Sequence, residues 1–521
     1  MVSTIRGRSL CWGVILALGT GCGDDSVDPD TSSGTEGSVT SSTGPGTSDD
    51  TGADSGTGTG TGTGSSGDVV DDTTGTDSTV GATDSGTDSG TDTGTSTETG
   101  EESSSGEEGS TDTGMMAEGC YDPMVYPYAG SLCGPAGSPC SVIINEELDG
   151  PHFRNDAPSV TLDSDCEPQV LYSVAEGGFN GHFARRTGPD TWDDQLTPFD
   201  IATGGAVYDP TTGDTLTVTD DGAFGIQVWR WDGGWTMEDV IDPYHLNTHG
   251  VGHRGDGTVH TALRTDGSDL RHGLWDGAFA FDDFGVQAQS ASIAVGPGGT
   301  PHVAFWRSNA GWEMWWGTTG QTELVAPGLT SALELSQRAV AVVDDGGDGV
   351  PHLTFATQTA PDGLHEVVHA TRTGPGTWEV TPVASEDPAM NTQCNSMPFG
   401  PGEQCMYDYV RVRPLDIVAS DGGDVRVLFA RDHFEGTLQS NCMPGPGGGF
   451  CTWQPFITND TSDLHIAWPD PTGGFAETVL VSDTWVRSMT AQVDIDGQVH
   501  IAAYVGQGNT SLRYFRVGER T

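Results

Sequence analysis

ASIAVGPGGTPHVAFWRSNAGWEMWWGTTGQTELVA, residues 291–326, contains four short apolar runs separated by Gly-rich turns and one polar loop. Runs of five or six apolar residues between such turns are typical of an antiparallel β-meander. A single meander of this size cannot bury both of its faces, so it requires copies of itself on either side. The stretch therefore predicts a repeat protein built from β-sheets.

Seven copies of this unit follow one another along the chain. The clearest marker is the second strand with the turn before it, which reads DCEPQVLY (165–172), TGDTLTVT (212–219), GDGTVHTAL (255–263), GGTPHVAFW (298–306), GDGVPHLTF (347–355), GGDVRVLF (422–429) and DGQVHIAAY (496–504). Neighbouring markers lie about 42 to 50 residues apart, and about 74 apart in the last two intervals, where insertions lengthen the unit. These lengths predict an all-β protein with a seven-bladed β-propeller. Two stacked β-sandwiches are the alternative, and they fit one evenly repeated meander less well.

The last unit lacks its own fourth strand. A fourth strand follows the third in six units, whereas the chain ends directly after the third strand of the seventh. We predict that VIINEEL (142–148) supplies the missing strand by pairing with LRYFRV (512–517). Such closure removes two free sheet edges. Cys140 and Cys166 lie close to this strand and are placed to brace the junction.

The N-terminus has the pattern of an export signal. Arg6 and Arg8 precede an apolar run from Leu10 to Leu18, which is too short to span a bilayer as a helix. Gly21-Cys22 follows, and here the sequence resembles bacterial lipoprotein signals. The resemblance implies that Cys22 is acylated and that the lipid bilayer holds the protein, with an outer-membrane location at the cell surface. Cleavage by an ordinary signal peptidase near residues 17–19 is the alternative, and the periplasmic side of the membrane also stays open.

Residues 22–117 consist almost entirely of Ser, Thr, Gly, Asp and Glu. Such a composition cannot form a core that offsets the entropy of ordering, so we predict a disordered tether. It resembles the low-complexity tethers of outer-surface lipoproteins in some Gram-negative bacteria, myxobacteria among them. The predicted organisation is a signal peptide (1–21), the acylated tether (22–117), a Cys-rich lead-in with the closing strand (118–158) and the propeller (159–521).

The charge balance restricts the partners. The net charge is −55, the pI is about 4.1, and all 20 basic residues are Arg. Nucleic acids and anionic membrane surfaces are therefore excluded as partners, because their phosphates would be repelled. The sequence does not indicate an oligomeric state.

Cysteine usage agrees with export. Beyond Cys11 and Cys22 there are eight cysteines, an even number that predicts four disulfides. Cys394 with Cys405 and Cys442 with Cys451 are the simplest pairs, and the pairing stays open for Cys120, Cys133, Cys140 and Cys166. No Cys-x-x-Cys occurs, so we predict no zinc site and no other metal or cofactor.

The insertions indicate where a ligand would bind. Residues 385–411 join the fifth unit to the sixth, and residues 431–463 join the second and third strands of the sixth. Because successive strands are antiparallel, both emerge at the same end of the propeller, as long loops next to each other. We predict a binding face for a glycan or a protein at this end, formed by aromatic residues. The candidates are Trp306, Trp312, Tyr407, Tyr409, Phe434 and Trp453. The alternative is that these rings pack the insertions onto the propeller.

Several other patterns are predicted to be structural. His260, His302, His352 and His500 recur at one position of the repeat and are expected to serve the fold. Asp432, His433 and Glu435 could bind a metal, but a solvated loop explains them better. No hydrolase, nucleotide-binding or metalloprotease motif occurs, and we predict no catalytic residue.

Two turns, RTGPDTW (186–192) and RTGPGTW (372–378), resemble the Asp-box turns of sialidase-like propellers, with Pro at the position of the usual Gly. The resemblance implies a remote similarity of fold and no activity. A glycoside hydrolase or lyase of that architecture is the alternative function. It would require converging arginines, and Arg264, Arg307, Arg411 and Arg431 are the candidates near strand ends.

Overall fold

The computed structural model describes residues 119–121, 127–135, 137–152, 157–175, 180–222, 225–309, 311–329, 337–358, 364–387, 404–443, 450–506 and 509–519. The predicted signal peptide and tether, including Cys22, lie outside these residues. Among the described residues, no helix is long and apolar enough to cross a membrane.

The described part of the chain is almost entirely β-structure. In chain order, the strands are β1 (Cys140–His152), β2 (Ser159–Leu162), β3 (Pro168–Val174), β4 (Asn180–Gly188), β5 (Thr191–Asp200), β6 (Thr203–Asp209), β7 (Asp214–Asp220), β8 (Ile226–Trp231), β9 (Trp235–Ile241), β10 (Tyr244–Gly252), β11 (Val259–Thr265), β12 (Asp269–Trp275), β13 (Phe279–Gln287), β14 (Ser290–Val295), β15 (Pro301–Ser308), β16 (Trp312–Thr318), β17 (Gln321–Leu329), β18 (Val340–Val343), β19 (Val350–Gln358), β20 (His365–Gly374), β21 (Thr377–Glu386), β22 (Gln404–Ala419), β23 (Val425–Met443), β24 (Phe450–Pro469), β25 (Phe475–Val481), β26 (Val486–Val493), β27 (Val499–Val505) and β28 (Thr510–Glu519). A short 3₁₀ turn, Pro297–Gly299, lies between β14 and β15.

These strands form seven antiparallel four-stranded sheets, the blades of a propeller. Blades 1 to 6 each take four consecutive strands, from β2–β5 to β22–β25, and blade 7 is ordered β1-β28-β27-β26. The second strand of a blade is the most buried, as in β3 and β27, while the fourth is largely exposed, as in β9. The predicted seven-bladed propeller is confirmed.

Hydrophobic contact between neighbouring blades holds the ring together. One apolar cluster lies at each of the seven blade-to-blade contacts, for example between blades 4 and 5, where Trp306 and Trp316 pack with Leu353 and Phe355. The cluster between blade 7 and blade 1 joins Tyr504 and Leu512 to residues of β2, β3 and β4. Since every sheet buries both faces against its neighbours, the repeats stabilise one another.

The N-terminal strand closes the ring as predicted. β1 pairs antiparallel with β28 as the outermost strand of blade 7, with Val142 opposite Val517 and Glu147 opposite Arg513. The blade that ends the chain is thus completed by the segment that precedes the first blade. This pairing confirms the predicted closing strand.

Two disulfides hold this lead-in segment in place. Cys120 is bonded to Cys166 and Cys133 to Cys140. Cys140 and Cys166 therefore brace the junction through different partners and not through each other. Cys394 lies outside the described residues, as do the side chains of Cys405, Cys442 and Cys451. The backbones of Cys442 and Cys451 are directly opposite each other in the β23–β24 pairing, and the two insertion disulfides stay predictions.

The recurring histidines are structural, as predicted. Nδ1 of His260 lies 3.0 Å from Nε2 of His272, and Nδ1 of His352 lies 2.9 Å from Nε2 of His369, so each pair joins the second and third strands of its blade. Burial lowers the pKa of His260 to about 4. The equivalent His500 lies between Asp494 and the Tyr514 hydroxyl, at 3.0 and 2.9 Å. Burial lowers the pKa of His352 to about 4 as well, so His260 and His352 are neutral at physiological pH.

The two RTGP-type turns clamp neighbouring blades together. In the first, Arg186 donates two hydrogen bonds to Glu146 of β1, and Trp192 donates a third. In the second, Arg372 and Trp378 donate in the same way to Glu323 of β17. Each turn thus holds a carboxylate on the outermost strand of the preceding blade.

The clamps also determine the charge state of these carboxylates. Burial alone would raise the pKa of Glu146. Hydrogen bonds from Arg186, the Asp190 amide and Trp192 outweigh burial and bring this pKa below its usual value. Removing the carboxylate would leave the Arg186 guanidinium buried without its main counter-charge.

We expect Glu146→Ala to lower the free energy of unfolding by about 3 kcal/mol, because it breaks a buried, bidentate ion pair. Glu323→Ala should cost about 2 kcal/mol, since Arg372 is more exposed than Arg186. The matched control is Asp193→Ala, which removes an exposed ion pair with Arg185 and should cost less than about 1 kcal/mol. Denaturant titration measures all three. If Glu146→Ala and Asp193→Ala lower the free energy of unfolding equally, the clamp does not stabilise the contact between blades.

Candidate binding face

One end of the propeller carries an extension that the other blades lack. β22, β23 and β24 are 16, 19 and 20 residues long, whereas the second strands of the other blades have seven to nine. Residues 404–411, 431–443 and 450–463 continue the pairing beyond the blade as a three-stranded sheet. We call this sheet the arm, and the end of the propeller from which it rises the arm end.

The insertions were predicted to be long loops, and for the described residues this is wrong. A hairpin that extends its parent strands satisfies its own backbone N–H and C=O groups, which a long loop cannot do without side chains or water. The prediction that both insertions emerge at the same end agrees with the pairing of β22, β23 and β24. Residues 388–403 and the tip at 444–449 lie outside the described residues.

The inner face of the arm packs on the propeller. Phe434 lies edge-on to Trp485, with ring centroids 5.4 Å apart, and contacts Tyr409 at 5.9 Å. The Tyr409 hydroxyl lies 3.2 Å from Nε2 of His365 in blade 5. Arg411 stacks over the Phe434 ring at 5.3 Å. This small aromatic core fixes the arm against blades 5 and 7.

The outer face of the arm exposes apolar side chains. Met406 is opposite Thr437, which in turn is opposite Phe456, so the three side chains form one row on the same face. Met406 is 54% exposed and Phe456 is 61% exposed. Ile457 is 43% exposed and lies on the other face, because neighbouring residues of a strand alternate.

The suggested metal ligands lie on different faces of the arm. Asp432 is fully buried on the inner face, where Arg411 and Arg413 contact it. His433 is on the outer face with its Nε2 2.7 Å from Asp408, and Glu435 is 3.9 Å from the same nitrogen. Alternation along β23 separates these side chains. The described residues contain no group of three or more His, Cys, Asp or Glu side chains that could hold a metal ion.

The predicted aromatic residues do not form one surface. Trp306 is only 2% exposed and belongs to the core between blades 4 and 5, so its assignment to a binding face is wrong. Trp312 is half-buried against the same core. Tyr409 and Phe434 pack the arm down, which is the alternative considered for these rings. The side chains of Tyr407 and Trp453 lie outside the described residues.

The four arginines suggested by strand position also have separate partners. Arg264 donates to the carbonyl of Gln289, and Arg307 lies over the Trp315 ring at 4.7 Å. Arg431 pairs with Glu386 and Glu477, while Arg411 pairs with Asp432. The carboxylate-binding arginine cluster of a sialidase-like enzyme is therefore not assembled from these four residues.

A buried ion pair anchors the base of the arm. Asp432 accepts hydrogen bonds from Arg411 and from Arg413, with Nε–Oδ2 distances of 2.9 Å to each. Arg413 also donates to the backbone carbonyls of Val486 and Arg487 in blade 7. Burial alone would raise the pKa of Asp432, but Arg413 and Arg411 outweigh it and lower this pKa.

At the arm end, a recess of about 20 Å³ opens on the propeller axis. Residues of five blades line it, since it lies where the inner strands begin; they include Ser159, Gly205, Val251, Arg338 and Thr490. A second, smaller recess lies between blades 5, 6 and 7 and is lined by Gln337, Arg413 and Arg487 among others. Neither Arg338 nor Arg413 lies in a sequence motif that would mark it as a site residue.

Polar side chains of the inner strands form a recurring contact around this axis. Ser159, Ser292 and Thr490 each accept the backbone N–H of the next blade's inner strand. Asp416 does the same for the Ala491 N–H, so blade 6 has a carboxylate where other blades have a hydroxyl. Burial raises the pKa of Asp416 to about 7, against the opposing effect of nearby Arg338.

The opposite end of the axis is covered by the lead-in segment. Tyr121 stacks on Tyr208 with ring centroids 5.2 Å apart and donates to the Leu162 carbonyl. Arg254 of blade 3 reaches Asp421 of blade 6 at 2.9 Å. The chain therefore enters the propeller at this end, which we call the entry end.

Comparisons with known proteins give no family and only remote structural similarities. No family model matches the chain, and a search of curated proteins found no match. Among solved structures, the BP39L lectin from Burkholderia pseudomallei is similar at 10% identity and a TM-score of 0.39, over 70% of this chain and 96% of that one. The Aleuria aurantia lectin has 12% identity and a TM-score of 0.32, over 60% of this chain and 99% of that one. An ulvan lyase, which is a polysaccharide lyase, has 11% identity and a TM-score of 0.33, over 65% of this chain and 95% of that one.

The structural neighbours include lectins, a polysaccharide lyase and the WD40 propeller domain of Doa1. At these identities and TM-scores, what those proteins bind carries no argument for the ligand of this chain. Its function has to be argued from its own residues.

Proposed function

We propose that this protein is an exported, membrane-anchored binding protein, and that its propeller presents the arm end to a glycan or protein ligand. The observation that carries the proposal is the exposed row of Met406, Thr437 and Phe456 on the outer face of the arm. Large exposed apolar side chains on a rigid sheet are typical of contact surfaces for sugars and proteins.

The position of the chain entry supports this orientation. Residues 119–121 and 127–135 lie at the entry end, where Cys120 is bonded to Cys166 and the Cys133 N–H donates to the Gly497 carbonyl. The described chain therefore enters the propeller at the end opposite the arm, which supports a ligand site at the arm end.

The N-terminal sequence supports membrane anchoring. Arg6 and Arg8, the apolar run after them and Gly21-Cys22 together resemble a lipoprotein signal, and residues 22–117 have a tether-like composition. We propose attachment to the outer membrane through acylated Cys22, with the propeller at the cell surface.

Replacing Cys22 by Ser should move the protein from the membrane fraction to the soluble fraction, because no acyl chain could be added. Fractionation followed by immunoblotting measures the distribution, and mass spectrometry of the wild-type N-terminus measures the lipid. Cys11→Ser is the matched control and should leave the distribution unchanged. Membrane retention of Cys22→Ser, together with no acyl mass on the wild type, would refute the anchor.

Binding is a better proposal than glycoside cleavage. A hydrolase or lyase needs a carboxylate pair or arginines aimed at one reacting centre. Arg264, Arg307 and Arg431 are instead engaged by a backbone carbonyl, a Trp ring and two glutamates. This separation supports a non-catalytic propeller.

A glycan array and a cell-surface protein array, both probed with the full chain, test the binding face. We expect the double variant Met406→Ser/Phe456→Ser to lose at least tenfold in affinity for the array ligand, because it removes both exposed apolar side chains. Leu196→Ser is the matched control, since Leu196 is 66% exposed on the outer strand of blade 1. Asp348→Ala tests the entry end. If the double variant binds like wild type and Asp348→Ala loses affinity, the site lies at the entry end and the proposal is refuted.

A further inference from the structure

The axial recess at the arm end differs in charge from the rest of this acidic protein. Asp and Glu number 75 in the chain, yet the described residues that line the recess include no carboxylate. The charged group there is the guanidinium of Arg338, and Ser159 and Thr490 contribute hydroxyls. Hydrogen-bond donors therefore dominate the polar lining.

The donors of Arg338 are only partly used. Its Nη1 donates to the Ala491 carbonyl at 2.7 Å, and its Nε lies 3.5 Å from Asp416. Among the described residues, no partner is found for Nη2. The Arg338 side chain is 25% exposed and lines the recess.

The two hydroxyls are oriented by their backbone contacts. Ser159 accepts the Ala206 N–H, and Thr490 accepts the Val160 N–H, both at 3.0 Å. Each hydroxyl oxygen is thereby engaged as an acceptor, and its own hydrogen is left to donate. Three donors from blades 1, 5 and 7 thus surround the same small space.

The charge of Arg338 is incompletely neutralised. Asp416 is its nearby carboxylate, and burial raises the pKa of Asp416 to about 7. A large fraction of Asp416 is then neutral at physiological pH, so the pair has a net positive charge. Gln337, Arg413 and Arg487 line the adjacent recess, where Arg413 is paired with Asp432 and Arg487 adds a second guanidinium to this end.

We propose that the axial recess binds the carboxylate of an acidic sugar, held by Arg338 and the hydroxyls of Ser159 and Thr490. This inference rests on the proposed function and names the ligand class of its arm end. A guanidinium is well suited to a carboxylate because its N–H groups match the spacing of the two oxygens.

The size of the recess supports one carboxylate and no larger group. A volume of about 20 Å³ accommodates one or two water-sized groups, which corresponds to the two oxygens of a carboxylate. The sugar ring would lie outside the recess, at the arm end. Sulfate and phosphate groups are bulkier, and the net charge of −55 disfavours polyanions.

The test compares methyl glucuronide with methyl glucoside, which differ in the carboxylate, by calorimetry or ligand-detected NMR on the full chain. We expect the glucuronide to bind at least tenfold tighter, and Arg338→Gln to abolish that difference. Arg338→Lys keeps the positive charge but not the two parallel N–H donors of the guanidinium, so its affinity for the glucuronide should fall several-fold. The control is Arg513→Gln, which breaks an exposed pair with Glu147 and should bind like wild type.

Equal binding of the two sugars by wild type, or an unchanged preference in Arg338→Gln with a normal melting curve, would overturn the inference. If Arg338→Gln does not fold, Arg338→Lys decides in the same way. The arm variant Met406→Ser/Phe456→Ser separates the two proposals. If the arm variant loses array binding but wild type does not prefer the glucuronide over the glucoside, this inference alone is refuted. Array binding that ignores the arm refutes the proposed function.

Discussion

Deleting residues 120–150 should cost more than about 5 kcal/mol of unfolding free energy and cause aggregation. The deletion removes most of β1, so β28 becomes an exposed edge strand of blade 7 and the ring loses the strand that links blade 7 to the start of blade 1. An unpaired edge of this length is a template for pairing with other chains. Typical domains have only about 5 to 15 kcal/mol of stability, so much of the protein should not fold.

Three losses add up to this estimate. The Glu146 clamp to Arg186 contributes about 3 kcal/mol. The Cys120–Cys166 disulfide closes a span of 46 residues and contributes about 2 to 4 kcal/mol. The apolar contacts of Leu148 and Val142 with the cores beside blade 7 add to this.

Thermal unfolding and light scattering measure the effect. A chain lacking residues 23–114 is the matched control, because it removes more residues, all of them from the predicted tether, and its melting temperature should equal that of the full chain. A soluble 120–150 deletion with an unchanged melting temperature would show that the ring does not depend on β1.

The repeat, the blade boundaries and the closing strand could be predicted because each blade alternates buried and exposed residues between Gly-rich turns. The third strand of blade 4, WEMWWG, is recognisable from its apolar residues, and so is VIINEEL as a strand without a unit of its own. These signals are local, and a propeller reuses the same local pattern seven times.

The arm could not be recognised in this way. One of its faces is in contact with solvent, so residues such as those of DHFEGTLQS (432–440) alternate between polar and apolar too weakly to indicate a strand. The period-two pattern in YDYVRVR (407–413) was the available signal for β22. Trp306 was misplaced because a ring at the end of a strand can face either a loop or the next blade, and its neighbour Phe355 belongs to another repeat.

The polar contacts between blades could not be predicted from the sequence either. Arg338 and Asp416 belong to different blades, and nothing in either segment indicates that they meet. The equivalent positions held a usable signal, since Ser159, Ser292 and Thr490 are hydroxyl residues where blade 6 has Asp416. The carboxylate in that series is the exception, and it lies beside Arg338, which lines the axial recess.

Asp432→Ala should lower the free energy of unfolding by about 3 to 5 kcal/mol and release the arm from the propeller. The carboxylate is fully buried, and its removal leaves the buried Arg413 guanidinium without a counter-charge. Arg413 also holds the Val486 and Arg487 carbonyls, so the disturbance would extend into blade 7. Phe434, two residues along on the same face of β23, would lose its fixed contact with Trp485.

The same pair predicts a pH dependence. Because the folded-state pKa of Asp432 is lowered, its contribution is complete above the unfolded value of about 3.9 and is lost as the pH falls through the folded-state pKa. Wild type should therefore lose stability below pH 4 more steeply than Asp432→Ala. Denaturant titration at pH 7 and pH 3 measures both effects, and limited proteolysis reports release of the arm.

Glu477→Gln is the control for this site, because it weakens the neighbouring ion pair with Arg431, in which both side chains are 32% exposed. It should change stability by less than about 1 kcal/mol and leave the arm resistant to protease. If Asp432→Ala behaves like Glu477→Gln, the arm is held by its aromatic contacts alone. Array binding by Asp432→Ala should then match wild type, whereas a released arm would bind at least tenfold more weakly, since Met406 and Phe456 would no longer be held in place.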